Sequence, residues 1–278
     1  MGILFGLLTA ICFGLSDFAV TQATRHIGVL QAMLAIQIGG VLIVGAVLVI
    51  TGQVPVQSPG TWALMAGIAL LNFVGIVLLY RSFTLGMLSL VSPIASSFAV
   101  VTAVLALSTG ERPPVLTLVG TFLLIGGIVV VSRAKAPGGS PSLAGIPEAL
   151  GAALSFGVYF WSLKQVTPLL GDVWPVWVTR LVMLIGTLLM LSLRRSFKLG
   201  WTWKILLLLL IASMLESIGY ISFNLGIRET YTTITTALAS LYSAVTVLLA
   251  WLFLRERLSR AQAVGIAVVL TGVLLVSL

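Results

Sequence analysis

Ten long apolar runs fill almost the whole of this 278-residue chain. They lie at roughly 3–23, 30–51, 61–82, 87–108, 114–132, 145–165, 174–193, 204–226, 231–254 and 261–278, each close to the ~20 residues a helix needs to cross hydrocarbon. Only 8% of the residues are charged and 59% are apolar, with a mean hydropathy of +1.19. A water-soluble domain carries roughly 25% charged residues, so this chain cannot clothe a surface that faces water. Its solvent is a bilayer, where every backbone group must bond internally, and that leaves helices or closed barrels. Runs such as Ile205 to Ile211 and Val264 to Val276 lack the period-two alternation of a barrel strand. The expected fold is an all-α membrane protein of ten transmembrane helices.

A formal charge of +8 would suggest nucleic acid on a soluble protein. Here the excess sits in loops, where Lys and Arg orient spans and meet anionic headgroups. The lipid bilayer is therefore the expected partner, and nucleic acid is not. The single cysteine, Cys12, excludes an internal disulfide and reads as a small packing residue. The first run lacks a basic leader and a small-x-small cleavage site, so it is expected to stay as a helix.

The second half of the chain repeats the first. At an offset of 143, Gly2-Ile3 falls on Gly145-Ile146, Phe13-Gly14 on Phe156-Gly157 and Gln37 on Arg180. At 144, Asn72 falls on Glu216; at 145, Glu111-Arg112 falls on Glu256-Arg257. A short indel near the third span accounts for the drift. Each half ends alike, Gly126 to Ser132 against Thr271 to Ser277, and the joint holds Pro137, Gly138, Gly139, Ser140 and Pro141, a loop composition. The expected organisation is one five-helix repeat at 1–133, a linker at 134–144 and a second five-helix repeat at 145–278. Five is odd, so the second copy enters the membrane upside down. Inverted repeats of this kind characterise secondary transporters, with substrate near the midplane.

Two five-span units, each with a Glu-Arg step before its last helix, resemble the drug/metabolite transporter superfamily, and more narrowly its ten-span members with two EamA-type repeats. Leu249 to Ser259 (LAWLFLRERLS), followed by Gln262, Gly265 and Gly272, carries most of the likeness. Gly110-Glu111-Arg112-Pro113 is the weaker first copy, with Pro113 where Leu258 stands. The resemblance covers nearly the whole chain. It implies residence in a bacterial-type plasma (inner) membrane, no enzymatic activity, and carriage of amino acids, drugs or other metabolites, with export favoured. The chain is also similar to bacterial aromatic amino-acid exporters.

Ten spans put both termini on one side. Loops on that terminal side carry Arg112, Lys164 and Arg228. The opposite, basic side carries Arg25, Arg81, Arg133, Lys135, Arg194, Arg195, Lys198, Lys204, Arg255, Arg257 and Arg260. The positive-inside rule applied to these short loops places the basic side in the cytoplasm and the termini in the periplasm. The family resemblance implies the reverse.

An ionisable group within a span costs at least about 2.5–3.5 kcal/mol, so it faces a cavity or a partner. Asp17, Arg81, Lys164, Arg180 and Glu216 need such a reading. Glu216 and Arg180 have polar repeat mates, Asn72 and Gln37, so the same two sites are polar in both halves. Arg180 and Glu216 either form a packing ion pair or face a central cavity. Asp17 is either a coupling site or a group at headgroup level; an acid in the first helix resembles the proton-coupled site of small four-span multidrug relatives. Glu216, Tyr220 and Asn224 recur every four residues and share one helix face. Asn72 and Tyr80 share a face of the third span. The candidate substrate-binding residues are Asn72, Tyr80, Tyr159, Trp161, Arg180, Glu216, Tyr220, Asn224, Ser240 and Tyr242, with Asp17 and Glu216 as coupling candidates. Ser16, Ser96, Ser97, Ser155 and Ser243 suit close helix packing. Pro93 loosens the fourth span, and the matched glycines Gly75 and Gly219 are flex points or packing sites. Trp62, Trp174, Trp177, Trp201 and Trp203 flank spans as interface anchors. His26 reads as a solvated loop residue, and one histidine without a cysteine or carboxylate cluster builds no zinc site.

These features favour a secondary transporter for a small-molecule substrate, acting as a monomer without cofactor. No GxxxxGK[ST] loop is present to bind ATP. A cavity with tyrosines, one Arg and one Glu suits a zwitterion, its carboxylate toward Arg180 and its ammonium toward Glu216, or a cationic aromatic drug. A membrane enzyme acting on lipid-linked substrates would need a His or carboxylate cluster at a membrane face, and a channel would need a filter motif.

Overall fold

The computed structural model describes residues 1–52, 54–112, 143–194, 201–254 and 260–277, with scattered positions between 114 and 130. Among the described residues the regular structure is entirely helical. Helix α1 is Gly2–Ile27, α2 Val29–Thr51, α3 Pro59–Leu85, α4 Leu88–Ala95 and α5 Phe98–Ser108. In the second half, α6 is Ile146–Leu170, α7 Trp174–Arg194, α8 Trp203–Glu229, α9 Thr232–Ser240, α10 Tyr242–Leu249 and α11 Arg260–Ser277, with a π-helical turn over Ala250–Leu254. Local signals set several ends. Ser58 caps α3, its hydroxyl accepting from the Thr61 amide at 3.3 Å, with Pro59 as first helical residue. Thr202 caps α8 in the same way. Both side chains satisfy amides that the first turn leaves open.

Seven helical stretches among the described residues are long and apolar enough to cross a membrane, counting α4–α5 and α9–α10 as one stretch each. The ten expected spans are therefore only partly met. About half of the expected span at 114–132 lies outside the described residues, as do Pro113, Arg133, Lys135, the linker positions 134–142, Arg195, Lys198 and the motif residues Arg255 to Ser259. Two expected spans need correcting. The runs 87–108 and 231–254 are not continuous helices: the first breaks at Ser96-Ser97 and the second at Leu241. In both, serine hydroxyls turn back onto carbonyls three residues earlier, Ser96 onto Pro93, Ser97 onto Ile94 and Ser240 onto Ala237, at 2.7–2.8 Å. Such bonds compete with the helical ladder and bend it.

The bundle is assembled from contacts that occur twice. Helix α1 lies along α8, and α3 lies along α6. A Cβ at Gly219 would sit 2.5 Å from the Phe13 ring, and one at Gly75 would sit 2.5 Å from the Phe156 ring. A Cβ at Gly14 would meet Val245 and the Tyr242 carbonyl; one at Gly157 would meet Val101 and the Phe98 carbonyl. Thr246 donates to the Gly14 carbonyl at 3.4 Å, and Thr102 donates to that of Gly157 at 3.0 Å. In each case the participants are repeat mates exchanged between halves. Phe98 and Tyr242, mates at the two helix breaks, stack on each other at 6.2 Å and 17°. Glycine, alanine and serine on these faces let backbones approach, which is how apolar helices gain contact in lipid.

Candidate functional site

Helices α2, α3, α7 and α8 bring four polar side chains to the middle of the bundle. Arg180 on α7 is 1% exposed and Glu216 on α8 is 4% exposed. They pair through Arg180 Nη1 and Glu216 Oε2 at 2.7 Å. Arg180 Nη1 also donates to Gln37 Oε1 on α2 at 3.1 Å, and Nη2 donates to Ser217 at 3.4 Å. The other carboxylate oxygen of Glu216 accepts from the Tyr80 hydroxyl on α3 at 2.6 Å and from Ser16 at 3.4 Å. Gly40 makes room for this arrangement, because a Cβ there would lie 2.7 Å from Arg180 Cδ. An ion pair in so dry a place needs its other donors and acceptors met; Gln37, the repeat mate of the arginine, meets one, while Arg180 Nε and Gln37 Nε2 have no partner among the described residues.

One turn along α8, the Tyr220 hydroxyl lies 3.2 Å from both amide atoms of Asn72. The Arg180 guanidinium stands over the Tyr220 ring at 5.4 Å, within reach of a cation–π contact. Tyr159 stands edge-on to Tyr220 at 6.2 Å and bonds Thr179 at 3.3 Å.

Next to this network is a cavity of about 30 Å3 lined by Asp17, Glu216, Tyr220, Tyr242 and the rings of Phe13, Phe98, Phe156 and Phe160. About 10–15 Å3 admits one water, so this conformation has room for water but not for an organic substrate. Asp17 is 6% exposed, and its Oδ2 has no hydrogen-bond partner among the described residues. The Tyr242 hydroxyl is likewise buried without a partner. The headgroup-level position considered for Asp17 is not what the structure places: the carboxyl is inside the bundle.

The structure thus brings together Asp17, Asn72, Tyr80, Arg180, Glu216, Tyr220 and Tyr242, with Tyr159 beside them. Of the expected substrate-binding residues, Glu216, Tyr220 and Tyr242 line the cavity, Asn72, Tyr80, Tyr159 and Arg180 touch a lining residue from behind, and three stand apart from both cavity and network. Asn224 is buried on the α8 stripe but donates to the Asp172 carbonyl at 2.8 Å, tying α8 to the α6–α7 turn. Ser240 spends its hydroxyl on its own helix. Trp161 is half-buried and donates to Thr109 at 3.3 Å, near one end of the bundle. Sequence reasoning missed Gln37 as a ligand of Arg180 and the four phenylalanines as cavity walls. The Phe13/Phe156 repeat match was the available signal. Among the expected anchors, Trp203 is 70% exposed, whereas Trp62, Trp174 and Trp177 pack edge-to-face on one another at 5.4–5.5 Å.

At the terminal side, Glu111 in the loop after α5 accepts from Lys164 on α6 and from Thr233 on α9 at 2.7 Å. Burial alone raises its pKa; the bonds from Lys164 and Thr233 outweigh that and hold the carboxyl below its ordinary value. Arg228 pairs with Asp172 at 2.6 Å on the same side.

A duplicated bundle of apolar helices that buries an ion pair beside an aromatic-walled cavity defines a polytopic membrane protein with a polar centre. Residues 1–133 and 143–278 both match the model of the EamA-like transporter family. The chain belongs to that family, and it is a membrane transporter of small molecules. Among solved structures 28 chains match. One, described as "Crystal structure of protein", is 17% identical over 99% of this chain and 95% of its own, with a TM-score of 0.70; at that identity the likeness concerns the fold. No curated protein matches the sequence.

Proposed function

We propose that the protein is a secondary transporter that exports small organic metabolites across a bacterial-type inner membrane, as a monomer. Its two five-helix repeats, 1–133 and 145–278 joined by 134–144, are taken as inverted in topology and as exposing the central cavity to each side in turn. The doubled contacts, with mates exchanged between halves, support this reading. The observation that carries the site assignment is the cavity holding Asp17 and Glu216, the only acidic side chains that line it among the described residues.

Amino-acid export is the reading that the resemblance noted in the sequence implies. The ion pair bears against one version of it: Arg180 is committed to Glu216, so no guanidinium is left for a substrate carboxylate in this conformation. An organic cation is the second reading. It is favoured by the unpartnered Asp17 oxygen among aromatic faces, which attract cations. In that reading Asp17 carries the coupling proton. The charge count supports a cytoplasmic basic side and periplasmic termini.

Purified protein in liposomes should show counterflow: labelled solute should enter faster when unlabelled solute is loaded inside. A panel of amino acids and hydrophobic cations identifies the substrate class. Flux without trans-stimulation would replace the carrier reading with a channel.

A further inference from the structure

A second recess opens at the helix ends on the basic side. It measures about 420 Å3 and lies between the α1–α2 turn, α3 and α7. Val77, Met190 and Leu191 give it an apolar wall, and Arg81, Arg194 and Gln31 supply polar groups; among the described residues no acidic side chain lines it. Arg81 spends Nε on Glu148 at 3.2 Å and its side chain remains 62% exposed, leaving both terminal nitrogens for another acceptor. Arg194 is the last residue of α7, is exposed, and has no ion pair among the described residues.

The repeat supplies an internal comparison. The mate of Arg81 is Leu225 and the mate of Arg194 is Thr51; the charges at the other end come instead from Arg228 and Asp172, mates of the recess residues Thr84 and Val29, and these two neutralise each other in an ion pair. Helix packing therefore does not demand the two arginines. Orientation of the spans asks only for basic residues in loops, not for two of them over one apolar recess.

Guanidinium groups bind phosphate through planar forks, and basic pockets between helices at the membrane face hold lipid headgroups. A soluble phosphate would leave the apolar wall unused; a phospholipid covers it with acyl chain. We infer that this recess binds an anionic phospholipid from the leaflet on the basic side, its phosphate held by Arg81 and Arg194 and its chains against Val77, Met190 and Leu191. The inference does not depend on which solute the central cavity carries.

The test uses full-length protein in mild detergent, titrated with phosphatidylglycerol, with phosphatidylcholine of the same chains, or with glycerol 1-phosphate. The readouts are the unfolding midpoint and the lipid retained in native mass spectra. Phosphatidylglycerol alone should be retained and raise the midpoint. Arg81→Gln with Arg194→Gln should weaken its apparent affinity about thirtyfold, at about 1 kcal/mol for each basic group. Arg194→Gln alone, which breaks no described contact, should weaken it about fivefold and keeps the test valid if the double variant folds poorly. Lys204→Gln with Arg260→Gln removes the same charge from the same side outside the recess and should leave the affinity unchanged. Equal loss in that control would reduce the effect to general surface charge. Equal stabilisation by phosphatidylcholine, or by glycerol 1-phosphate alone, would overturn the lipid assignment.

Discussion

Replacing Glu216 with glutamine leaves Arg180 as a buried cation with neutral partners alone, the new amide oxygen, Gln37 and Ser217. Breaking one side of a buried pair costs about 3–5 kcal/mol, because the partner keeps its desolvation penalty. At about 2–4 °C per kcal/mol for a chain of this size class, Glu216→Gln should lower the unfolding midpoint by about 6–20 °C. Arg180→Met strands Glu216 instead, but the Tyr80 and Ser16 hydroxyls still donate to it. A carboxylate can also shed its charge by taking a proton, which a guanidinium cannot do. The arginine variant should therefore be the milder of the two. The double variant removes both charges and should recover at least about half of the Glu216→Gln loss, since buried pairs replaced together are often close to neutral. The assay is fluorescence-detected size exclusion after a temperature ramp, with transport measured on the same samples. Single variants within about 1 kcal/mol of the parent, and a double variant equal to their sum, would mean that the pair is not coupled and would refute the argument from burial. A double variant that regains stability but not transport would place the pair in the transport site as well as in the packing.

Gly75→Ala and Gly219→Ala should each destabilise the protein by about 1–3 kcal/mol through overpacking, because the new Cβ falls 2.5 Å from a phenylalanine ring in both cases. Phe156→Leu should relieve the first and Phe13→Leu the second; failure of that pairing in a midpoint assay would remove the matched-contact argument. Asp17→Asn should leave membrane abundance unchanged and flatten the pH profile of proteoliposome transport, whereas an unaltered profile would remove Asp17 from coupling. Glu111 has a folded-state pKa below its ordinary 4.5, so its stabilisation is present above about pH 4.5 and is lost as the pH falls through the lower folded value. Glu111→Gln should lower the midpoint at pH 7 and reduce its fall on acidification; an unchanged acid limb would contradict the Lys164 and Thr233 contacts.

The repeat was legible in the sequence because its marks are residue identities at fixed spacing. Gln37 against Arg180 and Asn72 against Glu216 located the polar centre, and the four-residue recurrence on α8 put Glu216 and Tyr220 on one face. The first helix break was hinted at by Pro93, three residues before it, but the second was not legible. Leu241 is an ordinary helix former, and the serines before the breaks act by bonding their own helices, which spacing does not reveal. Asn224 left the cavity for a reason no periodicity encodes, since its partner is a backbone carbonyl, that of Asp172. Trp161 carried the residue type of a lining group, yet its indole is set toward Thr109 at the bundle end. Asp17 could be placed only by knowing how far α1 reaches before its turn at Gly28, a matter of a few residues in a helix of 26.

The doubled interfaces have a consequence for the balance between two open states. In the alternating-access cycle proposed above, the matched contacts of Gly75 with Phe156 and Gly219 with Phe13 keep their energy when the halves exchange geometries. A difference between the two states then comes from mates that differ, and four of these stand out: Arg180 against Gln37, Glu216 against Asn72, Tyr242 against Phe98, and Asp17 against Phe160. All four differences lie in or beside the polar centre. Under that proposal, the positions proposed to meet the solute also bear on which side of the membrane the empty transporter favours, so a substitution chosen to alter what is carried should also tilt the resting orientation.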